Sequence, residues 1–182
     1  IERPESLWSP ALYRERLRQV GGWLGRSFRP GQQPIVKASS VITAIADDLT
    51  ANGGRALFLH VPLPRYIETI LAGDASTKET LAQAPARMAR LAALFPDLPF
   101  ALWQLPPVTR IAMSWLCEMA SAQRTLPPTN PRYEWADFET LLGDPASALA
   151  VQAGHFGLSV DARRNFPVVK SRGAGCRRYV AL

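Results

Sequence analysis

The stretch RALFLHVPLP, residues 55–64, decides the fold class of this chain. Residues 55–61 form a short apolar run typical of a buried strand, and the proline turn after it leads into a helix predicted over 65–72. Upstream, the β-branched run Pro34-Ile35-Val36-Lys37 predicts another buried strand, and a helix is expected over 41–51. The order strand, helix, strand, helix predicts an α/β fold with a small, mostly parallel sheet flanked by helices.

The rest of the chain is predicted to be rich in helices. Apolar periodicity favours helices over 10–25, 76–95 and 108–123, and Pro85 is expected to kink or divide the second of these. A short strand is predicted at 133–138 and a final helix after Asp144, which suits an N-cap because a proline follows it.

Length and composition favour a single domain with its own core. The chain has 182 residues, of which 47% are hydrophobic and 20% charged; these values are typical of a globular domain and argue against disorder. Its two cysteines, Cys117 and Cys176, make neither a disulfide framework nor a metal-ligand pattern. With no apolar run near the ~18 residues of a membrane span, a cytoplasmic protein without a membrane partner is expected.

Positive charge is concentrated in the C-terminal segment, residues 161–182. The formal net charge is +6, and this basic C-terminal segment holds six arginines and lysines against Asp161 alone. Such an imbalance indicates an anionic partner, either a nucleic acid or a phosphorylated or sulfated small molecule. Aromatic residues are sparse in this segment, so nucleic-acid binding ranks last among the alternatives.

A ligand is expected beyond the carboxyl ends of the predicted strands. Ser39, Ser40, Arg65 and Thr69 follow those strands, and ligands of parallel sheets bind at that edge. No metal site is predicted, because the histidines, His60 and His155, are far apart in sequence and each is interpreted as structural.

Several stretches, in their order along the chain, resemble the P-loop sulfotransferase superfamily, particularly its divergent bacterial sulfotransferase-like members. The best match is YEWADFETLLGDPASAL (133–149) followed by HFGL (155–158), which is similar to a family strand, turn and helix. The segment PIVKAS (34–39) resembles a strand end that carries the catalytic lysine and histidine of the family. The resemblance covers about residues 34–175 and implies a sulfotransferase-like fold.

The resemblance implies roles for five residues. Lys37 matches the lysine that stabilises the transferring sulfuryl group, while Ser39 stands where the family has its histidine base. Arg65 and Thr69 are the nearest equivalents of residues that bind the 3'-phosphate of the donor, 3'-phosphoadenosine 5'-phosphosulfate. Arg172, in KSRGAG (170–175), resembles the basic lid over the donor phosphates. Lys37 and Arg65 also fit ordinary surface roles, in a salt bridge or on a solvated helix.

The implied function is transfer of a sulfuryl group from this donor to a hydroxyl or amine acceptor, without a metal. The family's first strand and phosphate-binding loop are not found in the sequence. Either residues 1–182 are the distal part of such a domain, or the family fold has lost its main cofactor loop, and the chain alone is not expected to catalyse transfer. The alternative is a non-catalytic module that retains the fold and binds an anion or a protein. Neither the acceptor nor the oligomeric state is predicted.

Overall fold

The computed structural model describes residues 8–27 and 29–158. Its helices are α1 (Pro10–Leu24), α2 (Ala46–Thr50), α3 (Leu63–Leu71), α4 (Asp74–Ala82), α5 (Ala84–Leu94), α6 (Pro107–Thr125), α7 (Phe138–Gly143) and α8 (Pro145–His155). Two 3-10 helices, Ser40–Ile45 and Leu102–Gln104, precede α2 and α6. The strands are β1 (Ala56–His60) and β2 (Tyr133–Asp137).

The two strands pair in parallel, which confirms a helix-rich mixed α/β fold with a small parallel sheet. Their register runs from Ala56 opposite Tyr133 to His60 opposite Asp137. The connection between them contains α3 to α6, since parallel neighbours need a long crossover and cannot be joined by a tight turn.

The prediction of a strand at residues 34–37 is wrong. Residues 32–39 form neither helix nor strand, and Ile35 and Val36 are 57% and 49% exposed. Pro34 has no N–H to donate to a ladder, and the three residues after it offer few other ladder hydrogen bonds. In the described residues, β1 pairs instead with β2, which is a full five residues long.

The helix predicted over 41–51 is divided into a 3-10 helix and the short α2. Val41, Ile42, Thr43 and Ile45 are β-branched, a side-chain class that disfavours the α-helix. The Thr43 side chain also lies against this turn, with its hydroxyl 2.8 Å from the carbonyl oxygen of Ser40.

Helix starts follow the predicted caps closely. The Ser9 side chain accepts a hydrogen bond from the Leu12 amide at the start of α1 (3.2 Å). Pro85 lies in the first turn of α5 and separates it from α4, because a proline fits the first turn of a helix but not its interior.

The apolar core lies mainly between α5 and α6. Ala84, Leu91, Leu105, Met113 and Cys117 form one buried cluster. Burial raises the pKa of the Cys117 thiol above its ordinary value, so the thiol is held as the neutral group that an apolar site favours.

A buried ion cluster also joins these helices to the first 3-10 helix. Oε1 of Glu118, on α6, accepts hydrogen bonds from Arg87 Nε (2.9 Å) and Arg90 Nη2 (2.6 Å) on α5. The Thr43 hydroxyl lies 2.6 Å from Glu118 Oε2. Thr125 donates from its hydroxyl to the Thr43 carbonyl (2.6 Å). We call Arg87, Arg90, Glu118 and Thr43 the buried ion cluster.

The chain divides into two compact units, one ending at Phe138 and the other starting at Glu139. In the second unit, α8 begins as predicted: Asp144 Oδ1 accepts a hydrogen bond from the Ser147 amide (3.2 Å), and Pro145 opens the helix. Within residues 8–27 and 29–158, no helix is long and apolar enough to cross a membrane.

Candidate functional site

His60 and Asp137 lie side by side at the carboxyl edge of the parallel pair. They are the last residues of β1 and β2 and are register partners. Nδ1 of His60 is 3.8 Å from Oδ2 of Asp137, and the two side chains are 26% and 29% exposed. This edge is where ligands of parallel sheets bind, and both side chains remain within reach of solvent.

Two aromatic rings, those of Phe58 and Trp135, neighbour the His60 imidazole. Side chains two apart on a strand share a face, so Phe58 and Trp135 lie on the same face as His60 and Asp137. The ring centroids of Phe58 and Trp135 are 4.7 Å apart, and the His60 ring lies 5.9 Å from that of Trp135. Trp135 is itself anchored, since its Nε1 donates to the carbonyl of Leu126 (2.8 Å).

The turn after β1 brings α3 to the same edge of the sheet. Trp115 Nε1, on α6, donates to the carbonyl oxygen of Val61 (2.9 Å), which anchors this turn. Pro62 then caps α3 without a side-chain hydrogen bond. The N-terminus of a helix carries a partial positive charge, so the start of α3 favours an anion beside this edge.

Arg65 and Thr69 lie on α3, as predicted. Arg65 is in the first turn, and its Nη1 is 3.4 Å from Oε2 of Glu68; both side chains are more than half exposed. Thr69 is exposed, and its hydroxyl donates to the Arg65 carbonyl (2.8 Å). Arg65 and Thr69 therefore lie one helical turn apart, and Arg65 is the closer of the two in sequence to the end of β1.

Lys37 and Ser39 do not lie where the sequence analysis expected. Both are exposed residues of the irregular segment before the first 3-10 helix. Ser39 precedes that helix, and its carbonyl accepts a hydrogen bond from the Ile42 amide (3.1 Å), but its side chain makes no capping hydrogen bond. Because the strand at 34–37 is absent, neither residue sits at the carboxyl end of a strand. Arg172 and the basic C-terminal segment lie outside the described residues.

The pairing of His60 with Asp137 is not predicted from the sequence, because a single histidine with no paired ligand near it in sequence favours a structural interpretation. A usable signal was present: His60 stands near the end of the strand predicted at 55–61, and Asp137 stands near the end of the one predicted at 133–138. Parallel strands end at one edge, so the two positions could have been placed together.

A separate apolar groove of about 480 Å³ lies at the end of α5. Its lining comes from Leu94, Phe95, Pro96, Asp97, Leu98 and Leu116. Near it in the chain, Trp103 is 79% exposed in the second 3-10 helix. Exposed apolar side chains of this size are typical of binding surfaces when they cluster.

Comparison of the chain with family models, with curated proteins and with solved structures gives no match. Within residues 8–27 and 29–158, no group of three or more His, Cys, Asp or Glu side chains could hold a metal ion.

Proposed function

We propose that the carboxyl edge of the β1–β2 pair binds the phosphate groups of a nucleotide in a sulfotransferase-like protein. The protein would transfer a sulfuryl group from 3'-phosphoadenosine 5'-phosphosulfate to a hydroxyl or amine acceptor. The observation that carries this proposal is the passage from β1 directly into α3 with Arg65 in the first turn of the helix.

Two positive features support phosphate binding at this point. The start of α3 has the polarity that favours an anion, and the Arg65 guanidinium can bind a phosphate through two parallel hydrogen bonds. Its contact with Glu68 is long and exposed, and such surface pairs contribute little, so a dianionic phosphate can replace the carboxylate. Thr69 lies one turn further along the same helix.

The remaining roles follow the resemblance described above. Lys37 and Ser39 receive no role at this edge, because both lie in the irregular segment before the first 3-10 helix. Arg172 is assigned to the donor phosphates. The described residues contain no cradle for the phosphosulfate itself, so the proposal requires that other residues of the natural polypeptide supply it.

The test is titration of the natural polypeptide with 3'-phosphoadenosine 5'-phosphate. Binding is measured by calorimetry and by the shift in melting temperature. Arg65→Gln is expected to weaken binding by roughly 10- to 100-fold, the loss expected for a charged hydrogen bond. Arg18→Gln is the matched control, because Arg18 is also exposed and also pairs with a glutamate three residues away, on α1.

Binding of the nucleotide that is weakened by Arg65→Gln and unchanged by Arg18→Gln supports the proposal. Failure of the wild-type protein to bind the nucleotide, or an equal effect of the two substitutions, contradicts it.

A second candidate is a protein-binding module that retains the fold, and the groove at the end of α5 favours it. The groove is apolar apart from Asp97, and the exposed Trp103 is the kind of aromatic residue that anchors interfaces. We expect Trp103→Ser to remove a partner that co-purifies from the native host while leaving nucleotide binding unchanged. An unchanged set of co-purifying proteins would dismiss this candidate.

A further inference from the structure

We propose that helix α1 binds an anionic lipid surface through its exposed apolar residues and the arginines beside them. This contact is independent of the proposed function, because α1 carries none of the residues assigned to the nucleotide. Such a helix lies in the plane of the bilayer surface and does not cross it. Its affinity comes from the apolar area that it buries and from attraction between its basic residues and anionic headgroups.

Helix α1 is held on the domain through one face. The Tyr13 hydroxyl donates to Oδ2 of Asp48, on α2 (2.9 Å), and the Leu17 side chain is partly buried. Residues four apart on a helix share a face, so Tyr13 and Leu17 belong to the packed face. Among the described residues of α1, none is buried. The remainder of the helix circumference is therefore open to a partner.

Apolar side chains of α1 extend beyond this packed face. Leu12 and Trp23 are eleven residues apart, close to three helical turns, so they lie on one side of the helix. Trp23 is 62% exposed. We call the exposed apolar residues of the helix the α1 flank: Leu12, Val20, Trp23 and Leu24. A cluster of this kind is typical of a binding surface, and tryptophan is enriched where lipid chains meet water.

Arginines surround the α1 flank. Residues 8–29 hold one acidic side chain, Glu15, and five basic ones, Arg14, Arg16, Arg18, Arg26 and Arg29. Glu15 pairs with Arg18 on the same helix. Arg16 stands one turn from Leu12, within the α1 flank. Arginine can lay its apolar stem along such residues while its guanidinium reaches the phosphates of lipid headgroups. The flank therefore combines apolar area with a local excess of positive charge.

This combination favours a lipid surface over other partners of a basic helix. A second copy of the chain would bring the same arginines together, and like charges repel. Nucleic acid would pair with the guanidinium groups but offers no apolar phase to Leu12 and Val20. A protein groove that encloses a helix would also need the packed face of Tyr13 and Leu17. An anionic bilayer supplies both phosphates and acyl chains, and its flat surface reaches the α1 flank without displacing α2.

The test measures co-sedimentation of the natural polypeptide with vesicles of phosphatidylcholine, either alone or mixed in equal parts with phosphatidylglycerol. We expect binding to the mixed vesicles and much weaker binding to phosphatidylcholine alone, because the arginines attract anionic lipids. Raising the NaCl concentration from about 0.05 to about 0.5 M should weaken the binding by roughly tenfold or more, since salt screens surface charges. These two measurements need no variant.

A charge variant separates α1 from the basic C-terminal segment, which also attracts anions. Arg14→Gln combined with Arg26→Gln should lower the affinity for the mixed vesicles by roughly 10- to 30-fold, at about fivefold per arginine. Lys78→Gln combined with Arg124→Gln is the matched control, because it removes the same charge from exposed positions on α4 and α6. Its affinity should stay within about threefold of wild type.

An apolar variant tests the other half of the contact. Trp23→Ser should lower the affinity for the mixed vesicles by roughly tenfold or more, because a large side chain no longer enters the interface. Trp103→Ser is the matched control, since Trp103 is also an exposed tryptophan, and it should leave vesicle binding unchanged. An unchanged melting temperature shows that each variant is folded, as expected for substitutions at exposed positions.

The outcomes decide between the partners. Binding that needs anionic lipid, falls with salt and is weakened only by the two α1 variants supports the assignment. A wild-type polypeptide that does not bind the mixed vesicles, or that binds phosphatidylcholine alone equally well, overturns it. Wild-type affinity in the α1 variants, or equal losses in their controls, also overturns it, because another surface then carries the binding. Dimerisation that Trp23→Ser abolishes, without vesicle binding, would assign the α1 flank to a second copy instead.

Discussion

The buried ion cluster and the pair at the sheet edge each place a carboxylate beside a nitrogen-bearing side chain, in very different surroundings. The Glu118 side chain is 8% exposed and receives two guanidinium groups at 2.6–2.9 Å. Asp137 and His60 are more than three times as exposed and stand 3.8 Å apart. The contacts of the buried ion cluster are short, and Glu118 is shielded from solvent and bonded to two arginines. The contact at the sheet edge is longer and partly exposed.

The contrast shows where a charge can change partners. Removing a charge from water costs several kcal/mol, and in the buried ion cluster this cost is offset by the close contacts of Glu118 with Arg87 Nε and Arg90 Nη2. Such a cluster ties α5, α6 and the first 3-10 helix to one another and has little freedom to bind a ligand. The edge pair is less constrained, because water can replace either partner at little cost.

The sharpest test of the comparison is Glu118→Ala. It leaves the guanidinium groups of Arg87 and Arg90 buried without their carboxylate, and we expect the free energy of unfolding to fall by about 3–5 kcal/mol. Denaturant unfolding would measure this. Glu68→Ala is the control, since that exposed carboxylate pairs with Arg65 and should cost about 0–1 kcal/mol. Equal losses of unfolding free energy in the two variants would contradict the difference between the buried and the exposed carboxylate.

A smaller effect is expected from Thr43→Val, which keeps the shape of the side chain but removes the hydroxyl 2.6 Å from Glu118 Oε2. We expect a loss of about 1.5–3 kcal/mol, because the hydrogen bond involves a buried charged group. Thr69→Val removes an exposed hydroxyl bonded to its own helix and should stay within about 0.5 kcal/mol. If Thr43→Val were equally mild, the cluster would not depend on its hydroxyl.

Asp137→Asn should have less effect on stability still. The side chain is partly exposed and its contact with His60 is long, so we expect a change of at most about 1 kcal/mol. Thermal unfolding followed by circular dichroism provides the measurement. A loss approaching that of Glu118→Ala would show that the edge pair is a structural element like the buried ion cluster.

The smallest expected effect concerns Asp144, an exposed charge at the start of α8. Hydrogen bonds from Ser147 hold the pKa of the Asp144 carboxyl below its ordinary value. A lowered folded-state pKa adds stability above the ordinary carboxyl pKa, and this is lost as the pH falls through the folded-state pKa. Asp144→Ala should therefore lower the melting temperature slightly at pH 7, and the difference should shrink in acid.

Asp144→Asn separates the cap from the charge in this experiment. Asparagine retains the capping oxygen but does not titrate. The difference in melting temperature between wild type and Asp144→Asn should therefore report only the pH-dependent contribution of the Asp144 charge. A difference between wild type and Asp144→Ala that stays constant down to strongly acidic pH would contradict the assignment.

Local signals predicted much of the secondary structure. Two helix starts are marked by side chains that accept hydrogen bonds from backbone amides of the first turn, those of Ser9 and Asp144. A third is marked by Pro85, whose missing N–H is tolerated in the first turn of a helix. The strands at 56–60 and 133–137 were found for a similar reason, since their residues favour a pleated, buried surface.

The predictions failed where the structure depends on contacts between residues that are distant in sequence. The run at 34–37 has the composition of a strand but pairs with nothing in the described residues. Glu118 lies in the middle of α6, and its sequence neighbourhood gives no sign that Arg87 and Arg90 meet it there. Placing Lys37 and Ser39 at a ligand-binding edge failed together with the strand that was meant to carry them.

The sequence by itself determined the helix-rich α/β class, the two strands of the sheet and the helix caps, because these depend on interactions within a few residues. The tertiary structure alone decided that β1 pairs with β2 and that Glu118 is buried between two arginines, and the register of the strand pair places His60 beside Asp137. The members of these pairs are separated by 28 to 77 positions in the chain. They meet only when packing of the whole domain offsets the entropy of closing those long loops.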